Sequence, residues 1–477
     1  MKNLFRVFFI CSVLASHITV TVNAAPSSPP NVVLFVADDL GWKDLGCQGS
    51  NYYQTPNIDY LAESGVRFTD AYAACAVCSP TRASILTGKY PARILLTQWL
   101  PAGRWNPVKN RMKEGRFIRS LPLEELTLAE VLREHGYTTL HVGKWHLGGP
   151  PFSLPEQHGF DVNVAGSEHG APGSYFYPFK GKWTVPTTDS KVLKQTLPDG
   201  KEGDYLTERL TEEAVKLIRN SKDRPFFLYF PFYAVHTPLQ GKADKIRRYE
   251  AVPKNDQQGK AAYAAMVESV DDGVGRIMKL LTELSLKENT LVIFTSDNGG
   301  FAGATSNAPL RANKGSHYEG GIRVPLIISG PGVSNPGSVN PTPVITNDLY
   351  PTILEMATLL ERPHQHVDGV SLAPLLKGDE SIKRDSLFWH YPHYNKHPHS
   401  APVSIVRRGP WKLIEFLESS QTELYHLTDD LSEANNLTES QPHLARELLT
   451  ELHAWKERVG ADSMLPNPNF MEGQALK

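Results

Sequence analysis

The segment Cys78-Ser79-Pro80-Thr81-Arg82-Ala83-Ser84-Ile85-Leu86-Thr87-Gly88 concentrates more chemistry than any other stretch of this 477-residue chain. Pro80 suits the first turn of a helix, because the N–H that it lacks would have no partner there. Cys78 then stands at the helix start, where free N–H groups and the helix dipole favour an anion. Arg82 lies one turn further along the same face. A nucleophile, a helix start and an arginine together make an oxyanion site. The cysteine alone has two other readings, a small buried residue or a thiolate nucleophile.

Four short apolar runs must position the rest of that site. Val32–Ala37 ends in Asp38-Asp39, and Thr138–Val142 ends in Gly143-Lys144-Trp145-His146. Phe226–Phe230 leads to His236, and Leu291–Thr295 ends in Ser296-Asp297-Asn298. Runs of this length without alternation read as strands buried on both faces of a parallel sheet. Helical patterns lie between them, at Leu126–His135 with Gly136 placed to stop it, at Leu206–Arg219 and at Tyr263–Leu284. Alternation of strand and helix predicts an α/β fold with a large, mainly parallel sheet between helices. Ligands bind beyond the carboxyl ends of such strands, so the four runs describe one site four times. Asp271-Asp272, inside the third helical pattern, matches no motif and reads as a helix face.

Two stretches carry no periodicity, Gln98–Arg119 and Pro150–Tyr205. Loops this long in a compact domain are usually functional. They are expected to cover the site and touch substrate, the first through Arg104, Arg111, Arg116 and Arg119. Near Lys377–Arg384 the pattern changes. Ser404–Arg407 and Trp411–Ile414 read as a hairpin, and Leu444–Val459 as a final helix. The expected division is a signal peptide at residues 1–24, a catalytic domain at 25–378, and a C-terminal subdomain at 379–477 with a small antiparallel sheet plus a helix.

The 49 basic and 51 acidic residues nearly cancel, which argues against a nucleic-acid partner. With 40% hydrophobic residues the chain has ample apolar surface for a core, which excludes disorder as its main state. Lys2 and Arg6 precede an apolar run to Val22, and Ala24 closes a small-residue exit. That is the pattern of a secretory signal, predicting an exported chain, periplasmic or extracellular, with no membrane span after cleavage. Cys47, Cys75 and Cys78 then remain, an odd number, so at least one is free, modified or paired outside the chain; Cys47 could bridge Cys75, which spacing does not decide.

Cys78-Ser79-Pro80-Thr81-Arg82 and Gly136-Tyr137-Thr138-Thr139-Leu140-His141-Val142-Gly143-Lys144-Trp145-His146-Leu147 resemble the two signatures of the sulfatase family, in the alkaline phosphatase superfamily. The resemblance runs in motif order from about Pro30 to about Gly330, and more weakly through the C-terminal unit. It implies an alkaline phosphatase-like sheet and a sulfuric ester hydrolase. It also implies that a maturing enzyme oxidises Cys78 to formylglycine (3-oxoalanine), so that an aldehyde hydrate is the nucleophile. Asp38, Asp39, Asp297 and Asn298, with the modified Cys78, would bind Ca²⁺, or Mg²⁺ in its place. Hard oxygen donors suit these ions over zinc. Arg82 would hold the hydrate, Lys144 and Lys314 the sulfate oxygens, and His146 the modified side chain. His236 would protonate the departing alcohol.

The substrate is expected to be a carbohydrate sulfate, by similarity to bacterial exported polysaccharide sulfatases. Aromatics and histidines suit sugar faces and hydroxyls. Glu168–Tyr175 and Trp389–His397 are therefore expected to form walls, with Arg104, His169, His390 and His393 as contacts. Two alternatives stay open. One is a phosphonate monoester or phosphodiester hydrolase with the same nucleophile. The other is a silent glycan-binding protein, if Cys78 stays a thiol.

Overall fold

A computed structural model describes residues 29–101, 105–180, 197–198 and 200–471. The signal-like segment and Arg104 lie outside these residues. Eight strands form the main sheet: β1 (Asn31–Ala37), β2 (Gly65–Phe68), β3 (Thr138–Val142), β4 (Val162–Val164), β5 (Phe226–Pro231), β6 (Thr290–Ser296), β7 (Leu326–Ser329) and β8 (Ser338–Asn340). Their order is β8-β2-β7-β6-β1-β5-β3-β4. β1 runs parallel to β5 and β6, with Val33 opposite Leu228 and Val292. β7 alone is antiparallel to its neighbours, so the sheet is mixed and mainly parallel.

Every residue of β1, β5 and β6 is buried, as unalternating apolar runs require. Seven helices support the site or the sheets that carry it: α1 (Pro56–Glu63), α2 (Cys78–Thr87), α3 (Leu128–Glu134), α4 (Leu206–Ser221), α5 (Ala261–Glu283), α6 (Leu349–Met356) and α7 (Pro442–Val459). On one face, Val33 and Phe35 pack with Ile58 of α1, Leu210 of α4 and Val270 of α5. On the other, Val32 and Leu34 pack with Ile85 of α2, Leu128 of α3 and Ile353 of α6. Burying each such side chain contributes roughly 1.5–3 kcal/mol, so β1 is anchored from both sides. α3 starts at a capping box between Thr127 and Glu130.

A second, antiparallel sheet joins β9 (Ser386–Tyr391), β10 (Val403–Arg408), β11 (Trp411–Phe416) and β12 (Thr422–His426) in chain order. α7 covers it, with Trp455 stacked on Phe388 at 4.9 Å. This sheet packs on the segment leading into Cys78. Trp389 Nε1 donates to the Ala73 carbonyl at 2.8 Å, and Val77 shares its apolar cluster. Buried charges seal the joint: Lys412 Nζ lies 2.9 Å from Glu319 and 2.8 Å from Glu433. Residues 389–391 thus belong to a fully buried strand. This corrects the expectation that they wall the substrate, since their side chains are needed to dock the two sheets.

Three further expectations have outcomes here. Cys47, Cys75 and Cys78 are all free thiols, so the Cys47–Cys75 bridge does not form. No described helix is long and apolar enough to cross a membrane. Asp271, read as a helix-face residue, is buried and caps α1 from outside. It accepts from Asn57 N at 3.1 Å, Ile58 N at 2.8 Å and Asn57 Nδ2 at 2.7 Å. Its carboxylate faces the positive end of the α1 dipole. Asp271→Ala is expected to cost about 1–3 kcal/mol through the orphaned donors, read as a lower urea midpoint at unchanged m-value. An unchanged midpoint contradicts the capping role.

Candidate active site

The parallel strands all end on one edge of the sheet, and their following residues meet there. Asp38 and Asp39 leave β1, Lys144 and His146 follow β3, His236 follows β5, and Asp297 and Asn298 follow β6. α2 begins at Cys78, and all ten of its residues are buried. Lys314 arrives on the loop before β7. Two glycines permit this crowding. Gly143 has φ +116°, and a Cβ there would fall 2.0 Å from the Pro231 carbonyl. A Cβ on Gly299 would fall 1.9 Å from the Gly320 carbonyl, so the Asn298 loop can lie against the Lys314 loop. Asp39 and His146 also adopt left-handed backbone, at φ +64° and +60°. Non-glycine residues take that conformation at a cost and are enriched at functional sites.

The charged groups form one buried network. Lys144 Nζ donates to Asp38 Oδ2 at 2.7 Å. Lys314 Nζ donates to Asp39 Oδ2 at 2.7 Å, and His236 Nε2 lies 3.7 Å from that same oxygen. Arg82 spends Nε and Nη2 on Asp297 Oδ2, at 2.9 and 2.7 Å, and Nη1 on the Lys144 carbonyl at 3.0 Å. Cys78 Sγ lies 3.6 Å from Asp38 Oδ1. Asn298 Nδ2 donates to Asp39 Oδ1 at 2.9 Å. His146 Nε2 is bonded to the Leu100 carbonyl at 2.6 Å.

Burial pushes the Asp38 carboxyl up to about 7, despite the Lys144 ammonium beside it. Burial is also the largest single influence on Asp39 and Asp297 and opposes their ionisation, but Lys314, His236 and Lys144 together outweigh it at the first, and Arg82, Lys144 and Lys314 together at the second. Both stay below the usual carboxylate range. Burial raises the Cys78 thiol well above its ordinary value, with Lys144 and Lys314 pulling the other way. The encoded cysteine is therefore a poor thiolate nucleophile at neutral pH. Burial and then Lys314 depress the His236 imidazolium to about 3, against the pull of Asp39.

The residues present fit a hard divalent cation. Asp38, Asp39, Asp297 and Cys78 offer ligand atoms that all lie within 4.8 Å of one another. Asn298 Oδ1 is buried with no hydrogen-bond partner among the described residues, and so is His146 Nδ1. An orphaned carbonyl oxygen beside three carboxylates is an oxygen ligand set in waiting.

The expected substrate contacts fare differently from the core. His390 is buried, with its nitrogens on Ser404 Oγ at 2.8 Å and the Asp462 carbonyl at 2.9 Å. His393 is fully buried and bonds Thr97 Oγ1 at 2.7 Å. Both rings are buried beside the second sheet, and the other nitrogen of His393, Nδ1, lies 3.6 Å from Glu114 Oε1. His169 is buried next to Gly170, and a Cβ on Gly170 would touch the His146 ring at 2.6 Å. Its loop therefore lies on the catalytic side. Arg104 lies outside the described residues. Arg116 pairs with Asp462 at 2.8 Å, and Arg111 lies over Phe470. Sequence reasoning missed the Leu100 carbonyl that aims His146, because a backbone acceptor leaves no trace in residue type.

The family model described as Sulfatase matches residues 30–359, and one described as N-sulphoglucosamine sulphohydrolase, C-terminal, matches 312–458. A sulfatase of Formosa agariphila is 35% identical, over 89% of this chain and 88% of that one. The N-acetylgalactosamine-6-sulfatase of Canis lupus familiaris is 32% identical, over 77% of this chain and 69% of that one. The crystal structure of Ps i-CgsB in complex with k-i-k-neocarrahexaose superposes with a TM-score of 0.75 at 32% identity, covering 90% of this chain and 93% of that one. The family match over most of the chain agrees with a site of acids, lysines and a helix-starting cysteine at the strand ends: the chain belongs to the sulfatase family, sulfuric ester hydrolases built on an alkaline phosphatase-like sheet.

Proposed function

We propose that this chain hydrolyses a sulfate ester of a carbohydrate, with Cys78 matured to formylglycine and Ca²⁺ held by Asp38, Asp39, Asp297 and Asn298. The observation that carries this reading is the buried network itself: three carboxylates and an orphaned amide oxygen gathered around Cys78 at one sheet edge. Two of the relatives point to a carbohydrate, one named for N-acetylgalactosamine 6-sulfate and one solved with a neocarrahexaose. Residues 1–24 act in this reading as an export signal, and a formylglycine-generating maturase acts on the chain during its biosynthesis. Residues 25–378 then carry the catalytic unit and 379–477 the smaller one.

When bound, Ca²⁺ supplies positive charge that polarises a sulfate oxygen and lowers the pKa of a neighbouring hydroxyl. The matured Cys78 side chain, hydrated, supplies two hydroxyls on one carbon, one to attack sulfur and one whose proton loss expels sulfate. Lys144 and Lys314 bind the sulfate oxygens and offset the charge that builds on them. Arg82 holds Asp297 and the Lys144 backbone in register, so both face Cys78 from fixed positions. His146, fixed by the Leu100 carbonyl, offers Nδ1 to the hydrate. His236 gives a proton to the departing alcohol.

The direct test is sulfate release from a panel of sulfated oligosaccharides by the matured protein. Intact mass should fall by about 18 Da relative to the encoded Cys78 side chain. A folded, mass-converted protein that releases no sulfate from any member sinks the carbohydrate reading. Cation binding has its own readout. Saturating Ca²⁺ at about 100 times Kd should stabilise the folded state by about 2.7 kcal/mol, seen as a melting temperature that climbs with Ca²⁺ and falls back with chelator. A flat titration contradicts the cation site.

A further inference from the structure

Two half-buried rings stand beside Lys314, and the chemistry above uses neither. Phe301 lies three residues beyond Asn298, on the loop whose Gly300 carbonyl accepts from Lys314 N at 3.1 Å. His397 comes from the other side, on the loop that follows β9. A Cβ on Gly315 would fall 2.5 Å from His397 Cβ and Cδ2, so the imidazole rests on the residue next to Lys314. Phe301 and His397 meet edge to face, their centroids 5.9 Å apart and their planes at 83°.

The His397 loop is fixed without any ligand. Asn395 Nδ2 donates to the Gly315 carbonyl at 2.9 Å and to Tyr391 Oη at 3.1 Å, and its Oδ1 accepts from His397 N at 2.8 Å. Ser316 Oγ donates to the His399 carbonyl at 2.9 Å. A ring held this way loses little freedom when a ligand arrives, which favours affinity. Lys396 is exposed next to it.

The pair also borders the lysine that holds the sulfate in the reading above. Lys314 and His236 converge on one oxygen of Asp39, at 2.7 and 3.7 Å. A sulfate held by Lys314 with its ester oxygen turned to His236 would leave its alcohol close to the Lys314 loop. The geometry points to Phe301 and His397 as the wall that contacts the sugar ring carrying the scissile ester, with Lys396 beside it for a further anionic group on the same glycan. This inference rests on the carbohydrate-sulfate reading above. The apolar C–H face of a sugar buries area against such rings, while an exposed lysine adds a weaker, salt-sensitive attraction.

Calorimetry on the full chain in Ca²⁺ buffer tests it, in a Cys78→Ala background that has no nucleophile at that position. The probes are a sulfated carrageenan hexasaccharide, a chondroitin 6-sulfate hexasaccharide and inorganic sulfate. Phe301→Ala and His397→Ala should each raise the Kd of the bound hexasaccharide by about tenfold and leave that of inorganic sulfate unchanged. Phe301→Leu, which keeps apolar volume in place of the ring, should lose most of the same affinity. Asn395→Ala, which frees the loop but keeps the ring, should give a smaller loss. Hexasaccharide affinity unchanged in the Phe301/His397 double variant overturns the wall. So does a parallel loss of sulfate affinity, which would mean that the rings merely hold Lys314, and so does a parent that binds neither hexasaccharide. Sulfate release by the matured wild-type chain is scored separately: binding with no release sinks the hydrolase reading and leaves the wall standing.

Discussion

Cys78→Ser is expected to abolish multiple turnover, with a loss of at least on the order of 10⁴ in kcat, the scale on which removal of a nucleophile acts. The reason is the number of hydroxyls. A serine offers one oxygen, which can accept the sulfuryl group from the substrate, but it keeps no second hydroxyl whose deprotonation would expel sulfate from the same carbon. The variant should release alcohol at most once per molecule and gain about 80 Da by intact mass where it does. Folding should be unaffected, because serine is close in volume to the buried thiol and Asp38 Oδ1, 3.6 Å from Sγ, can accept from its hydroxyl. Full steady-state turnover by Cys78→Ser would remove the case for an aldehyde. It would point to an ordinary hydroxyl nucleophile in the same pocket.

The second large effect is at His236. His236→Ala is expected to lower kcat/KM on a sugar sulfate by about 10²–10⁴, the usual contribution of a placed proton donor. An aryl sulfate, whose phenolate departs without a proton, should lose far less. His236 is suited to this role by position. Its Nδ1 lies 2.8 Å from the Thr237 carbonyl, which leaves Nε2 turned toward Asp39 and the mouth of the cluster. The comparison of two leaving groups decides the assignment. Equal losses on both substrates would make His236 a binding or structural residue, and no loss on the sugar sulfate would remove it from the reaction.

Much of the fold is legible in the chain because the physics involved is local. The runs at Val32, Thr138, Phe226 and Leu291 stand out as buried strands, since a strand covered on both faces cannot carry polar residues at alternate positions. Their observed limits differ from the expected ones by a residue or so. The helices at Leu128, Leu206, Ala261 and Pro442 follow from apolar spacing, with limits shifted by up to two residues at either end. The strands β2, β7 and β8 and the helix α6 leave no comparable signal. They are short, and brief apolar runs do not distinguish strand from helix. His390 and His393 show how little residue type reveals, because a histidine that packs and bonds beside a sheet is spelled like one that meets a ligand. Asp271 misleads for the same reason, since its three donors belong to a helix 213 to 214 residues away in the chain.

The amino-acid order alone determined which side chains could share a pocket. An apolar run followed by acids or a lysine places those groups at a strand end, and parallel strands put their ends on one edge. Only the tertiary structure decided how the charges are paired, because pairing depends on distances between segments hundreds of residues apart. Asp39 reaches Lys314 across 275 positions, and Arg82 reaches Asp297 across 215. It also decided that all three site aspartates lose water, and which cations each one meets, and so which keep their charge. That is why Asp38 is pushed toward neutrality while Asp39 and Asp297 remain ionised, although all three are aspartates at the ends of buried strands.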